Sequence, residues 1–160
     1  MTQITDYLLR LLARLPESGL KVILLDESWV GVGVSRDVFN EFILPYDRQL
    51  VSAAQESGVL VDYHNYGRVT AVLESMADTG ADALEPLTPP SLNGDIQLAD
   101  AKKRVGDRMA LYGGFNERVL MSDKGKEVRQ EVRRCIDEGA DGGGTPSAVP
   151  VRFLRLSSRI

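Results

Sequence analysis

The chain has 160 residues, 43% hydrophobic and 26% charged, the make-up of a globular domain rather than a disordered or fibrous segment. Its 19 Lys plus Arg against 23 Asp plus Glu leave a net charge of −4, and no basic stripe with interleaved aromatics is present, which argues against nucleic acid as a partner. Cys135 is the lone cysteine, which excludes an internal disulfide and fits a reducing, cytoplasmic compartment.

Thr2 to Leu15 reads as an amphipathic helix, with Ile4, Leu8, Leu11, Leu12 and Leu15 at helical spacing. Its apolar stretch is interrupted by Arg10 and Arg14 and lacks a cleavage site, so neither a membrane span nor a leader is expected. Pro16 and Gly19 are expected to end it, and Val22-Ile23-Leu24-Leu25 follows as a short buried strand. Ser35 is placed to cap a helix through Val38, Phe39, Phe42 and Ile43. Pro45 must divide that helix, because it lacks an amide hydrogen and clashes with the preceding turn. The second piece runs from Tyr46 to Ser57 and stops at Gly58.

The rhythm then repeats. Val59-Leu60-Val61 predicts a strand, Val69 to Asp78 a helix stopped by Gly80, and Ala81 to Leu84 the next strand. After the proline-rich turn Pro86 to Pro90, Asn93-Gly94 makes a bend and Asp95 is expected to cap a helix reaching Val105. Met109 to Tyr112 is a fourth strand and Glu127 to Glu138 a final helix. The strands read as apolar throughout, as in a parallel sheet covered on both faces. Without a Gly-rich phosphate loop, a nucleotide-binding sheet is the weaker choice. The expected fold class is therefore α/β, a partial TIM-type (β/α)8 barrel of about four βα units. It would occupy residues 1–141, with residues 142–160, which open on Gly142-Gly143-Gly144, as an atypical tail, disordered or altered.

In a parallel barrel the chemistry gathers at the C-terminal strand ends. Here those ends carry Asp26-Glu27-Ser28, His64-Asn65, Glu85, and Gly113-Gly114 followed by Asn116. That collection of ionisable and polar groups suits a small-molecule site. His64, the only histidine, is a candidate proton carrier or metal ligand; its plain alternative is a hydrogen-bonded loop histidine. Glu85 and Asp26 are candidate acid/base groups, and an ion pair within the rim is the alternative for Glu85. Asp26 and Glu27, being adjacent on a strand, must point to opposite faces. Ser28, Asn65, Arg68, Gly113, Gly114 and Asn116 are candidate substrate-binding residues: Arg68 by pairing with a carboxylate, the glycines by letting a ligand approach the backbone. Ser28 serves equally well as a turn cap, Gly113-Gly114 as a tight loop, and Arg68 as a partner for a nearby acid. Lys102, Lys103 and Arg104 read as a solvated helix face.

Asp26-Glu27-Ser28-Trp29-Val30-Gly31, then Phe39, Phe42 and Leu44-Pro45-Tyr46, resemble the middle of uroporphyrinogen decarboxylases. Gly80-Ala81-Asp82, Gly94-Asp95, Gly106-Asp107-Arg108 and Leu111-Tyr112-Gly113-Gly114 continue the resemblance in order, over about residues 20 to 140 and as the family's C-terminal half. The resemblance implies a (β/α)8 barrel and one of two chemistries. One branch decarboxylates the acetate arms of uroporphyrinogen, in porphyrin synthesis, without a cofactor. The other transfers methyl groups between a corrinoid and a thiol, using zinc held by His-x-Cys and a later Cys.

The loop Tyr63-His64-Asn65-Tyr66-Gly67 resembles the second branch, with His64 as the metal residue, but Tyr66 stands where the first Cys belongs. Ser28 matches a substrate contact of the first. The resemblance implies that the decarboxylase's proton-handling Asp and substrate-binding Arg residues lie in an N-terminal half. A half barrel leaves two unpaired edges, so a homodimer or a complementary N-terminal half barrel is the expected partner. A non-catalytic fragment or scaffold is the third reading.

Overall fold

The computed structural model describes residues 2–121 and 125–140. Among the described residues, four strands alternate with helices: β1 (Val22–Asp26), β2 (Leu60–His64), β3 (Ala83–Leu87) and β4 (Ala110–Gly113). They form one parallel sheet in the order β1-β2-β3-β4. Helices α1 (Thr2–Leu12) and α2 (Leu15–Ser18) precede β1; α3 (Arg36–Phe42) and α4 (Leu44–Glu56) lie between β1 and β2. Then α5 (Leu73–Ala77) follows β2, α6 (Leu98–Val105) follows β3, and α7 (Gly125–Gly139) follows β4. This is the α/β architecture of a partial TIM-type barrel, about four βα units long. The proposed tail from residue 142 lies outside the described residues.

Local chemistry explains most boundaries. Ser35 caps α3 by accepting a hydrogen bond from the Val38 amide at 3.3 Å. Pro45 divides α3 from α4 and sits in the first turn of the new helix, where a missing amide costs nothing. Gly58, at φ +74°, closes the turn after α4 in a conformation that disfavours side chains. Pro16 does not end a long helix: α1 stops at Leu12, and Pro16 opens the short α2. The face of α1 is also rotated from expectation. Thr5 is buried on it, while Ile4 and Leu11 are exposed.

Two helix starts differ for a shared reason. The segment expected as helix from Val69 is a turn whose Val69 and Thr70 amides donate to Asp95, at 2.8 and 3.0 Å, so helix begins only at Leu73. Asp95 is thus spent on the preceding unit, and α6 starts after Gln97 without a side-chain cap. Arg104 is no solvated side chain. It donates to Glu74 at 2.6 and 2.7 Å, and Arg36 joins the same carboxylate at 2.9 Å, tying α3, α5 and α6 together. Those guanidiniums, Arg104 first, hold the Glu74 carboxyl down to about 2.

The core lies between the sheet and its helices. Val61, Tyr63 and Leu84 point outward into it with Phe39, Leu73 and Met76, all buried. The other sheet face is different. Val22 and Leu24 are 50% and 53% exposed there, beside half-buried Leu60 and Asp62. The expectation of strands buried on both faces therefore fails for β1. In the described residues nothing covers its inner side, so alternation returns. Truncating the core should confirm which face carries the stability: Leu84→Ala should cost about 2–5 kcal/mol in chemical denaturation, as for other fully buried leucines. Leu24→Ala, on the open face, should cost under about 1 kcal/mol.

Candidate functional site

Parallel pairing in register sets the strand ends level. Asp26 lies opposite His64, and His64 opposite Glu85, on one face of the sheet. His64 Nδ1 meets Glu85 Oε1 at 2.6 Å, a charge-assisted distance, with both side chains about three-tenths exposed. Glu85 thereby holds the imidazole ring at its Nδ1 side, the donor and acceptor roles being set by the tautomer. Asp26 accepts from the Ser28 amide at 3.0 Å and from the Ser28 hydroxyl. The Ser28 bonds hold the Asp26 carboxyl below its ordinary range.

Beyond these strand ends lies a cavity of about 860 Å³, lined by Ser28, His64, Tyr66, Arg68, Asn93 and Gly94 among others. Its walls are loops pressed backbone to backbone. A Cβ on Gly31 would stand 1.8 Å from the Tyr66 carbonyl oxygen, and one on Gly94 would stand 1.7 Å from that of Thr88. The Arg68 amide also donates to the Gly31 carbonyl at 3.1 Å. Close approach of this kind admits only glycine.

The other candidates fall elsewhere. Asn65 is fully buried, with neither side-chain heteroatom hydrogen-bonded, and it does not line the cavity. Gly113 and Gly114 lie off the cavity in close packing: a Cβ at each would meet the Leu87 backbone at 2.6 Å and Leu98 at 3.0 Å. Asn116 lies off the cavity, its amide donating to Glu131 of α7 at 2.7 Å and its side chain accepting from the Arg118 amide.

Two acids, Asp62 and Asp47, escape a reading of the sequence, and a third, Glu27, is legible there only for the face it takes. Asp62 sits two residues before His64 and so shares its face; burial, then Glu85, pushes its carboxyl up to about 6. The alternation Asp62-x-His64 was the available signal. On the outer side, Asp47 of α4 is buried and accepts from the Tyr63 hydroxyl at 2.6 Å. Burial raises Asp47 to about 6 and, with Asp47 as neighbour, raises Glu27 to about 7.

The model of the uroporphyrinogen decarboxylase (URO-D) family matches residues 1–145. The chain belongs to the uroporphyrinogen decarboxylase family. It is 34% identical over 136 residues to the uroporphyrinogen decarboxylase of Alcanivorax borkumensis, covering 79% of this chain and 34% of that protein. The Aliivibrio salmonicida uroporphyrinogen decarboxylase is 31% identical over 148 residues, covering 91% of this chain and 39% of the relative. The chain thus spans between a third and two-fifths of the curated relatives it matches.

Among the described residues, the zinc expected for the methyl-transferring branch finds no fitting ligand set. Tyr66 replaces the first Cys, and Cys135 is buried on α7 against the Gly114 carbonyl. Among the described residues no three His, Cys, Asp or Glu gather around a metal position. Residues 142–144 lie outside the described residues. None of the described helices is long and apolar enough to cross a membrane.

The raised acids fix the sign of the pH response. A carboxyl whose folded pKa exceeds its unfolded value holds its proton better when folded. Its stabilisation is present below the unfolded pKa and is lost as pH rises through the folded one. With Asp47 and Asp62 near 6 and Glu27 near 7, the Tm should fall between about pH 5 and about pH 8. Glu27→Gln should flatten that fall, as calorimetry across the range would show.

Proposed function

We propose that this chain supplies part of a uroporphyrinogen decarboxylase-type site, in which a carboxylated tetrapyrrole binds at the strand-end cavity and loses carbon dioxide. The observation that carries this reading is the convergence of His64, Ser28 and Arg68 on one cavity, in a chain of this family. Arg68 is the side chain suited to a substrate carboxylate, through its bidentate fork. His64, held by Glu85, is the group suited to moving a proton near neutral pH.

The chemistry needs little more. A proton added to the pyrrole ring makes a cation, and the electron pair of the bond to the leaving carboxylate flows into it. The exocyclic carbon then takes a proton as the ring gives one up. One proton is consumed, carbon dioxide departs, and an acetate arm becomes a methyl group. No cofactor enters this balance.

Among the described residues the inner face of β1 is open and both sheet edges are unpaired, which favours a chain that works when further βα units cover it. A second copy or a complementary half barrel would supply such units, with the reaction set in porphyrin synthesis in the cytoplasm. On uroporphyrinogen III, with porphyrin products separated after oxidation, His64→Ala should lower turnover about a hundredfold or more, with substrate affinity changed less than about threefold. Turnover unmoved by His64→Ala would remove His64 from the chemistry. Neither binding nor turnover by the assembled protein would sink the reading as a whole.

A further inference from the structure

We propose that Trp29, Val32 and Tyr66 form an apolar shelf that takes the carbon-rich face of a ring-system ligand whose carboxylate reaches Arg68. This rests on the reading of the cavity as a carboxylated-ring site and adds the residues that choose the ring.

The three side chains are unusually open for their size, at 82%, 77% and 59% exposed. Two of the three meet at the cavity, and the third neighbours it in sequence. Val32 and Tyr66 line the cavity, and Trp29 adjoins Ser28, which lines it too. Trp29 and Val32 stand on one loop and Tyr66 on another, and the two loops are fixed together at Gly31, which contacts Tyr66 and accepts from the Arg68 amide. Between Trp29 and Val32, Val30 is 1% exposed. The short helical turn Val30–Val32 thus has a side anchored in the core and a free side carrying the large apolar groups.

Chemistry selects the ligand. Arg68 is the single Lys or Arg among the cavity-lining residues, so an anion held by charge alone has one partner. A ring laid across Trp29 and Tyr66 removes apolar surface on both sides and adds the ring-on-ring preference of aromatic pairs. A preorganised apolar wall with one placed charge is the common build of small-molecule sites. An exposed patch of this sort in the absence of a ligand is otherwise a liability.

Uroporphyrin I, an air-stable ring with carboxylates, and benzene-1,2,4,5-tetracarboxylate, which carries carboxylates on a small ring, separate the two elements. Trp29 is the only tryptophan of the chain, so its emission reports binding of the small probe, and the porphyrin absorbance band reports binding of the large one. Trp29→Ala and Tyr66→Ala should each weaken uroporphyrin about fivefold to tenfold, with the small probe's affinity, read for Trp29→Ala by calorimetry, within about twofold. Arg68→Ala should weaken both probes. An unaltered thermal midpoint for these exposed positions shows that the fold is intact.

Unchanged uroporphyrin affinity in both shelf variants would overturn the shelf while leaving the carboxylate site standing. A shift from assembly to single chain in those variants, with porphyrin binding unaltered, would overturn it in favour of a contact between copies. A wild-type protein that binds neither probe would overturn the shelf together with the reading beneath it.

Discussion

The site depends on strand register. In a parallel sheet every hydrogen-bonded pair fixes which residues stand abreast, and a slip of one residue turns each side chain to the opposite face. Here the pairing brings Asp26, His64 and Glu85 into one row across β1, β2 and β3. It also turns Glu27 to the other side, toward Asp47 and Tyr63. A slip in β2 would bury His64 beneath the helices and separate it from Glu85. The glycines at 31 and 94 then lock the loops beyond that row, so the cavity is built on rigid backbone contact rather than on side-chain packing.

The two faces of the sheet have opposite characters. The outer face is a dry core of Tyr63, Leu84, Phe39, Leu73 and Met76, all at or near zero exposure. The inner face combines exposed Val22 and Leu24 with Asp26, Asp62, His64 and Glu85. Apolar groups at its lower end and acids near the rim match what a barrel interior needs: packed layers below and chemistry above. Asp62, on this inner face, is half-buried, and burial raises its carboxyl to about 6 even with the face open.

Much of this was legible in the chain. Four strands at βα spacing, the Ser35 cap, the division at Pro45 and the delivery of Asp26, His64 and Glu85 to strand ends all follow from periodicity and turn chemistry. The family was legible in the ordered series from Asp26-Glu27-Ser28 through Leu44-Pro45-Tyr46 to Leu111-Tyr112-Gly113-Gly114. What was not legible is long-range. That Asp95 would serve the Val69 turn rather than its own helix depends on a contact 26 and 25 residues away. That Gly113 and Gly114 answer to Leu87 and Leu98 depends on how β3 and α6 pack. An apolar strand reads as buried on both faces from its own residues; whether Val22 and Leu24 are covered is decided by the neighbour across the barrel. Asn65 carries a polar signature, yet its side chain is fully buried with neither heteroatom hydrogen-bonded.

The strand-end site belongs to a sheet whose inner face is open among the described residues, and the proposed function has that face covered. The most direct measurement is the solution mass of the purified chain by light scattering on a sizing column, repeated after adding a complementary set of βα units. A discrete assembly, of two copies or of one chain with the complement, is the expected result. A monodisperse single chain that binds and turns over the tetrapyrrole unaided would contradict it.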